Sequence, residues 1–293
     1  MDKHPRPAKL PPRKPSSRRP AAVALKPPAV SSLEAAYVLW DELDQLPMDD
    51  NQALSHLARA LMRLLKADDI KWLGAVRVMQ GNAARKDPLL GWRLRATYNF
   101  GTWPDEYQKR ISWWFQRSIN APTEVQMGLA TKAIVAGTGK FQAHRMRDGF
   151  IPFEEFRRSE HYKLHYVERG ITDRMWISFP VNSNAESMFL IDRLQNKRHF
   201  TQEDLDFAAF ILRGIRWFHR RLLLSQGLLI ANTPLSPNAC RIVQKLLTGM
   251  SEKEIAASMN QSLSTTHSYV KTIYQQFGVN GRAALMSLWL RNG

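Results

Sequence analysis

Between Ser264 and Gln275, hydrogen-bonding side chains recur at helical spacing around one fixed positive charge: Ser264, Thr265, His267, Ser268, Lys271, Thr272 and Gln275. Hydroxyl and amide groups exchange hydrogen bonds with phosphate oxygens and base edges, and a lysine ammonium pairs with a phosphate. The chemistry on offer is non-covalent recognition of a polyanion. Covalent chemistry is not legible elsewhere. Ala136-Gly137-Thr138-Gly139-Lys140 resembles a phosphate loop only superficially, because Ile134 stands where a glycine is needed and Phe141 where Ser or Thr is needed. His161 and His165 are spaced for one helix face but lack a neighbouring glutamate and a third ligand, so they read as a surface pair and no metal is expected. No Gly-x-Ser-x-Gly elbow is present. No catalytic residue is named, no cofactor is expected, and the chain does not read as an enzyme.

The polar row needs a rod to hold it. Val270, Ile273, Tyr274 and Phe277 alternate with it at i, i+3, i+4 and i+7, which predicts a helix capped by Ser262 or Ser264 and ended by Gly278. Upstream, Ser236 and Pro237 open a helix whose stripe is Ala239, Ile242, Val243, Leu246 and Leu247, with Gly249 just past its end. Ser251 and Glu254 have capping-box spacing, and Ile255, Ala256 and Met259 form the inner face of the next helix. Asn260-Gln261-Ser262-Leu263 is a short turn, and Asn260 tolerates positive φ. Two helices on so short a turn can fit one into a DNA groove and brace it with the other. Arg282 to Trp289 makes a fourth helix with Leu285, Leu288 and Trp289 on one side.

The run Gly249-Met250-Ser251-Glu252-Lys253-Glu254-Ile255-Ala256, followed by Ser262, Thr265, Ile273-Tyr274 and Phe277-Gly278-Val279, resembles the LuxR-type (GerE-type) helix-turn-helix of bacterial transcription regulators. The resemblance covers about one fifth of the chain. It implies a transcriptional regulator whose third helix enters the major groove of double-stranded DNA. It places Thr265, His267 and Lys271 at positions that touch DNA. It also implies a homodimer, with Leu285, Leu288 and Trp289 at the dimer face. The chain departs from the family pattern at Arg241 (usually glutamate), Thr266 (usually valine), His267 (usually basic), Tyr269 (usually histidine) and Gly281 (usually a small polar cap).

Composition agrees with a polyanionic partner. The 293 residues carry 42 Lys and Arg against 26 Asp and Glu, a net charge of +16. Residues 1–31 hold eight prolines and a strong basic excess, and read as a disordered tail. The lone cysteine, Cys240, permits no internal disulfide and fits a cytoplasmic protein. No apolar run is long enough to cross a membrane.

Residues 32–230 read as one domain, and 231–293 as the helix-turn-helix domain. In the first, Leu54, Leu57, Ala58, Leu61, Leu64 and Leu65 mark a helix. Strands are predicted over 71–79, 92–98, 175–181 and 187–192, and helices over 123–135 and from Thr201 to about Leu224. This order, with Arg198-His199-Phe200-Thr201-Gln202-Glu203-Asp204-Leu205 after a strand, resembles a GAF-like sensor domain. The fold class is therefore α+β: a GAF/PAS-like antiparallel sheet with flanking helices, then an all-α four-helix domain. The resemblance implies a small-molecule effector, with Trp92, Tyr98 and Trp176 as candidate pocket residues because they sit on predicted strands. The alternative is an enzyme with its active site in the middle domain and the helix-turn-helix as a targeting module.

Overall fold

The computed structural model describes residues 29–46, 52–101, 103, 106–107, 109–110, 127–195, 198–228 and 235–292. The basic tail as far as residue 28, Trp113, Trp114 and the start of the helix predicted over 123–135 lie outside them. Chain order runs α1 (Val30–Gln45), α2 (Gln52–Leu65), β1 (Asp69–Arg77), α3 (Gly81–Lys86), β2 (Trp92–Asn99), α4 (Leu129–Ala136), β3 (Gln142–Arg145), α5 (Phe153–Phe156), α6 (Glu160–Tyr162, continuing as a π turn over Lys163–Val167), β4 (Ile171–Asn182), β5 (Ala185–Leu194), α7 (Gln202–Gly214), α8 (Arg216–Ser225), α9 (Pro237–Leu247), α10 (Glu252–Ser258), α11 (Leu263–Phe277) and α12 (Arg282–Asn292).

The five strands form one antiparallel sheet in the order β2-β1-β5-β4-β3. The turn between β4 and β5 is set by Asn182, whose side-chain oxygen accepts the Asn184 N–H at 2.8 Å. Strand β3 was not predicted; its four residues, Gln-Ala-His-Arg, carry no apolar alternation. β4 and β5 are buried almost continuously because both faces of the sheet are covered. On one face, Trp72, Ile177, Phe189 and Ile191 pack against Leu57 and Leu61 of α2, Ala208 and Leu212 of α7 and Phe218 of α8. The predicted α2 stripe lies in this core. On the other face, Leu73, Trp176 and Leu190 meet Ile134, Met146, Phe156 and Tyr166.

One long helix was predicted from Thr201 to Leu224; the structure breaks it in two. Thr201 and Asp204 do form a capping box at the start of α7. The helix stops at Gly214, and Ile215 (φ −100°, ψ 49°) turns the chain into α8. The glycine lets α1 dock here: a Cβ on Gly214 would fall 2.2 Å from the Trp40 ring, whose N–H donates to the Ile211 carbonyl at 3.2 Å. Helix α8 is then tied to the sheet by buried His219. Its ring nitrogens lie 2.8 Å from Ser187 Oγ and 2.7 Å from the Leu212 carbonyl, and Ser187 Oγ accepts the Trp72 N–H at 2.8 Å. Every polar group in this core chain has a partner, as burial requires.

Candidate nucleic-acid interface

Helices α9 to α12 close around their own core, in which Ile242, Val243 and Leu246 of α9 meet Ile255 of α10, Val270, Ile273 and Phe277 of α11 and Leu285 of α12. The predicted punctuation is present. Ser236 accepts the Ala239 N–H at 3.2 Å with Pro237 in the first turn. Ser251 Oγ accepts the Glu254 N–H at 3.3 Å, and the Glu254 carboxylate accepts the Ser251 N–H at 2.7 Å. These bonds to Ser251 hold the Glu254 carboxyl below its ordinary range. Asn260 takes φ 51° in the turn between α10 and α11. Ser262 is the cap of α11, accepting the Thr265 N–H at 3.0 Å, and Gly278 ends the helix at φ 61°. Arg282 donates to the carbonyls of Gly249 and Met250, tying the start of α12 to the turn before α10.

Thr266, where the resembled family carries valine, is fully buried in the angle of the turn. Its hydroxyl donates to the Ser262 carbonyl at 3.2 Å and accepts the Gln261 side-chain amide at 2.7 Å. The departure is compensated locally, so the hydroxyl is not left unsatisfied.

All seven polar residues predicted to face DNA (Ser264, Thr265, His267, Ser268, Lys271, Thr272 and Gln275) are exposed on α11. Ser268 and Thr272 donate to carbonyls one turn back, at 3.0 Å each, which fixes their hydroxyl oxygens as outward acceptors. Lys271 has no ion-pair or hydrogen-bond partner among the described residues. His267 Nδ1 lies 3.0 Å from the carboxylate of Glu252 in the first turn of α10. With Val270, Lys271, Tyr274, Gln275, Val279 and Asn280 these two line an open depression along the helix. Sequence reasoning did not find Glu252; it lies fifteen positions from its partner and on another helix.

Of the residues proposed for a dimer face, Leu285 is only 2 % exposed and belongs to the core of its own domain. Leu288 is half-buried against that core, and the side chain of Trp289 lies outside the described residues.

The candidate pocket trio is not brought together. Strict alternation along β2 would put Trp92 and Tyr98 on one face. A bulge where β1 passes from Gly74 to Ala75 shifts the register, so Trp72 pairs with Tyr98 but Arg77 with Trp92. Tyr98 packs on the helical core beside Trp72. Trp92 and Trp176 lie on the opposite face, in separate clusters.

That opposite face carries a buried charge network that sequence reasoning also missed. Asp69, Asp192 and Arg174 stand side by side across β1, β5 and β4. The two adjacent carboxylates repel unless cations hold them. Arg174 donates to Asp192 at 2.6 Å and to the Tyr166 hydroxyl at 3.0 Å. Arg169 donates to both carboxylates, at 3.4 Å for Asp192. Trp103 donates its N–H to Asp69 at 2.7 Å, and the Arg169 guanidinium and the Lys71 ammonium lie over its ring, 4.1 Å and 4.2 Å from the centroid. Burial, then the two guanidiniums, lower Lys71 to about 7. The Tyr107 hydroxyl is 3.1 Å from His165 Nδ1. His161 and His165 are half-buried with ring centroids 4.6 Å apart, so they are not the surface pair the spacing predicted. Burial, followed by His161, lowers His165 to about 2. No group of metal-binding side chains occurs among the described residues.

Residues 233–289 match the family described as bacterial regulatory proteins, luxR family. No curated protein matches the chain. Among solved structures, Escherichia coli SdiA is similar at 13% identity and a TM-score of 0.45, over 89% of this chain and 98% of that one. SdiA in complex with octanoyl-rac-glycerol gives 11% and 0.44, over 92% and 98%. The VqsR LBD domain from Pseudomonas aeruginosa gives 14% and 0.44, over 67% and 97%. Together the family match and the exposed polar row of α11 make this chain a DNA-binding transcriptional regulator.

Proposed function

We propose that the chain binds double-stranded DNA as a homodimer in the cytoplasm, with α11 in the major groove, and that residues 32–230 form a GAF/PAS-like sensor that modulates binding in response to a small-molecule effector. The reading assigns it no catalysis. One observation carries it: the polar residues of α11 are exposed along one side, while Val270, Ile273 and Phe277 are buried on the other. Thr265 and Lys271 lie at the accessible positions, and α10 braces the rod through its capped first turn. With one fixed positive charge, this helix itself leans less on counterion release than on direct contacts, and a steep salt dependence would need other basic segments of the chain.

The sheet order β2-β1-β5-β4-β3, helices on both faces and the capped helix after the last strand support the sensor reading. A route for coupling is in place. The Gln226 side chain accepts the Tyr98 hydroxyl at 3.3 Å, and its backbone carbonyl accepts the Cys240 thiol at 3.6 Å. The turn after α8 therefore touches both the sheet and α9. An effector acts only through different affinities for the two arrangements it selects between.

Thr265→Ala and Lys271→Ala test the reading. Lys271→Ala should weaken binding to all sequences and reduce the salt slope by about one. Thr265→Ala should lose roughly 1–3 kcal/mol of discrimination at one base position. Native circular dichroism with unchanged affinity in both variants would remove α11 from the interface.

A further inference from the structure

Lys71 stands out among the charges under the sheet. The described groups facing one another there are three cations (Lys71 on β1, Arg174 on β4 and Arg169 in the turn before β4) and two carboxylates (Asp69 on β1 and Asp192 on β5), with Tyr107, His165 and Tyr166 as the other titratable neighbours. Arginines hold both oxygens of Asp192 and Oδ2 of Asp69, and Asp69 Oδ1 accepts no hydrogen bond among the described residues. The Lys71 ammonium has the Trp103 ring on one side and no hydrogen-bond or ion-pair partner among the described residues. Asp192 and Asp69 attract Lys71 without bonding to it, and the cluster holds three cations against two carboxylates; the excess charge calls for an anion.

The surroundings say where that anion fits and what it carries. Lys71 keeps part of its surface accessible although it lies deep among these groups. Its cross-strand neighbour on the edge strand is Asn99, which is exposed, and Thr97, two residues along that strand and opposite Leu73, is half-exposed. Its neighbours in the other direction are Leu190 and then Trp176. This face thus offers one ammonium with an amide beside it and an apolar wall in the same row, and a hydroxyl in the next row. That set matches a small carboxylate with an apolar body better than a neutral lactone or a bare inorganic anion.

We propose that Lys71 anchors a small organic carboxylate against the β1–β2 edge of the sheet, and that this anion is the effector. The proposal rests on the reading of residues 32–230 as an effector-binding sensor.

The test is thermal unfolding of the full chain with sodium acetate, hexanoate, octanoate or benzoate, against sodium chloride and inorganic phosphate at equal ionic strength. At least one carboxylate with an apolar body should raise Tm by ~5 °C at saturation. Lys71→Met should abolish that rise and Lys71→Arg should keep most of it. If Lys71→Met fails to fold, Lys71→Gln serves in its place. The inference is overturned if no carboxylate exceeds chloride, if phosphate matches the best carboxylate, or if the neutral variants respond like the wild type. DNA affinity measured on the same preparations separates the readings: a wild type that binds DNA but responds to no carboxylate sinks the anion site alone.

Discussion

His267 and Glu252 meet at 3.0 Å on the surface that a phosphate backbone would approach. On the proposed reading a carboxylate there repels the backbone and occupies the one imidazole of α11. Glu252→Gln should therefore raise DNA affinity by about 1 kcal/mol, roughly fivefold, and steepen its salt dependence. Fluorescence anisotropy across a salt series measures both; unchanged values would mean that Glu252 stays clear of the DNA. Under the sheet the same electrostatics act in a drier setting. Asp192→Asn leaves Arg174 and part of Arg169 without their counter-charge and should cost ~3–5 kcal/mol in urea unfolding. The seven exposed polar residues of α11 were legible because a helix of period 3.6 separates them from Val270, Ile273 and Phe277 within one segment. Asp69, Arg169 and Asp192 were not, because strand pairing and a turn unite charges that are far apart along the chain.

At the scale of elements, punctuation decided most of what could be read. Ser236, Ser251, Thr201 and Gly278 each stop or start a helix where their chemistry demands it. Ser251→Ala removes one half of a capping box and should cost about 1 kcal/mol, with α10 losing order first. Amide exchange on α10 would show it. The break between α7 and α8 escaped reading because its cause is tertiary: Gly214 is small so that Trp40 of α1 can lie on the helix. Gly214→Ala should cost roughly 1–3 kcal/mol through displacement of that ring, although alanine is the better helix former. A stabilised variant would show that Trp40 is not seated there. The bulge in the β1–β2 pair escaped for a similar reason. Nothing in the alternation of residues 92–98 announces an extra residue, and that residue alone parts Trp92 from Tyr98.

For the whole molecule, three bases with lowered folded pKa values give the stability curve its shape. His165, lowered to about 2 from 6.5 by burial and then His161, adds to the acid fall that His219 produces. His219 has a folded pKa lowered to about 4 from 6.5 by burial. Between these values the unfolded chain holds a proton that the folded chain lacks, so stability falls as pH is lowered from 6.5 to 4. Lys71, lowered to about 7 from 10.5, acts in the same sense at higher pH, and stability rises between those limits. Lys71→Met should flatten the alkaline rise and leave the acid fall, which urea titrations at several pH values will resolve. The division into an α+β part and a helical carboxy-terminal part was readable from the change of hydrophobic period. The side of the sheet holding the charges was not, since it depends on which helices cover which face. The centre of the account remains α11 as a reader of base sequence. Selection of bound duplexes from a random pool by the full-length chain tests it most directly: the wild type should enrich one motif, and Thr265→Ala and His267→Ala should relax defined positions within it. No enriched motif, or an identical motif from both variants, would contradict the account.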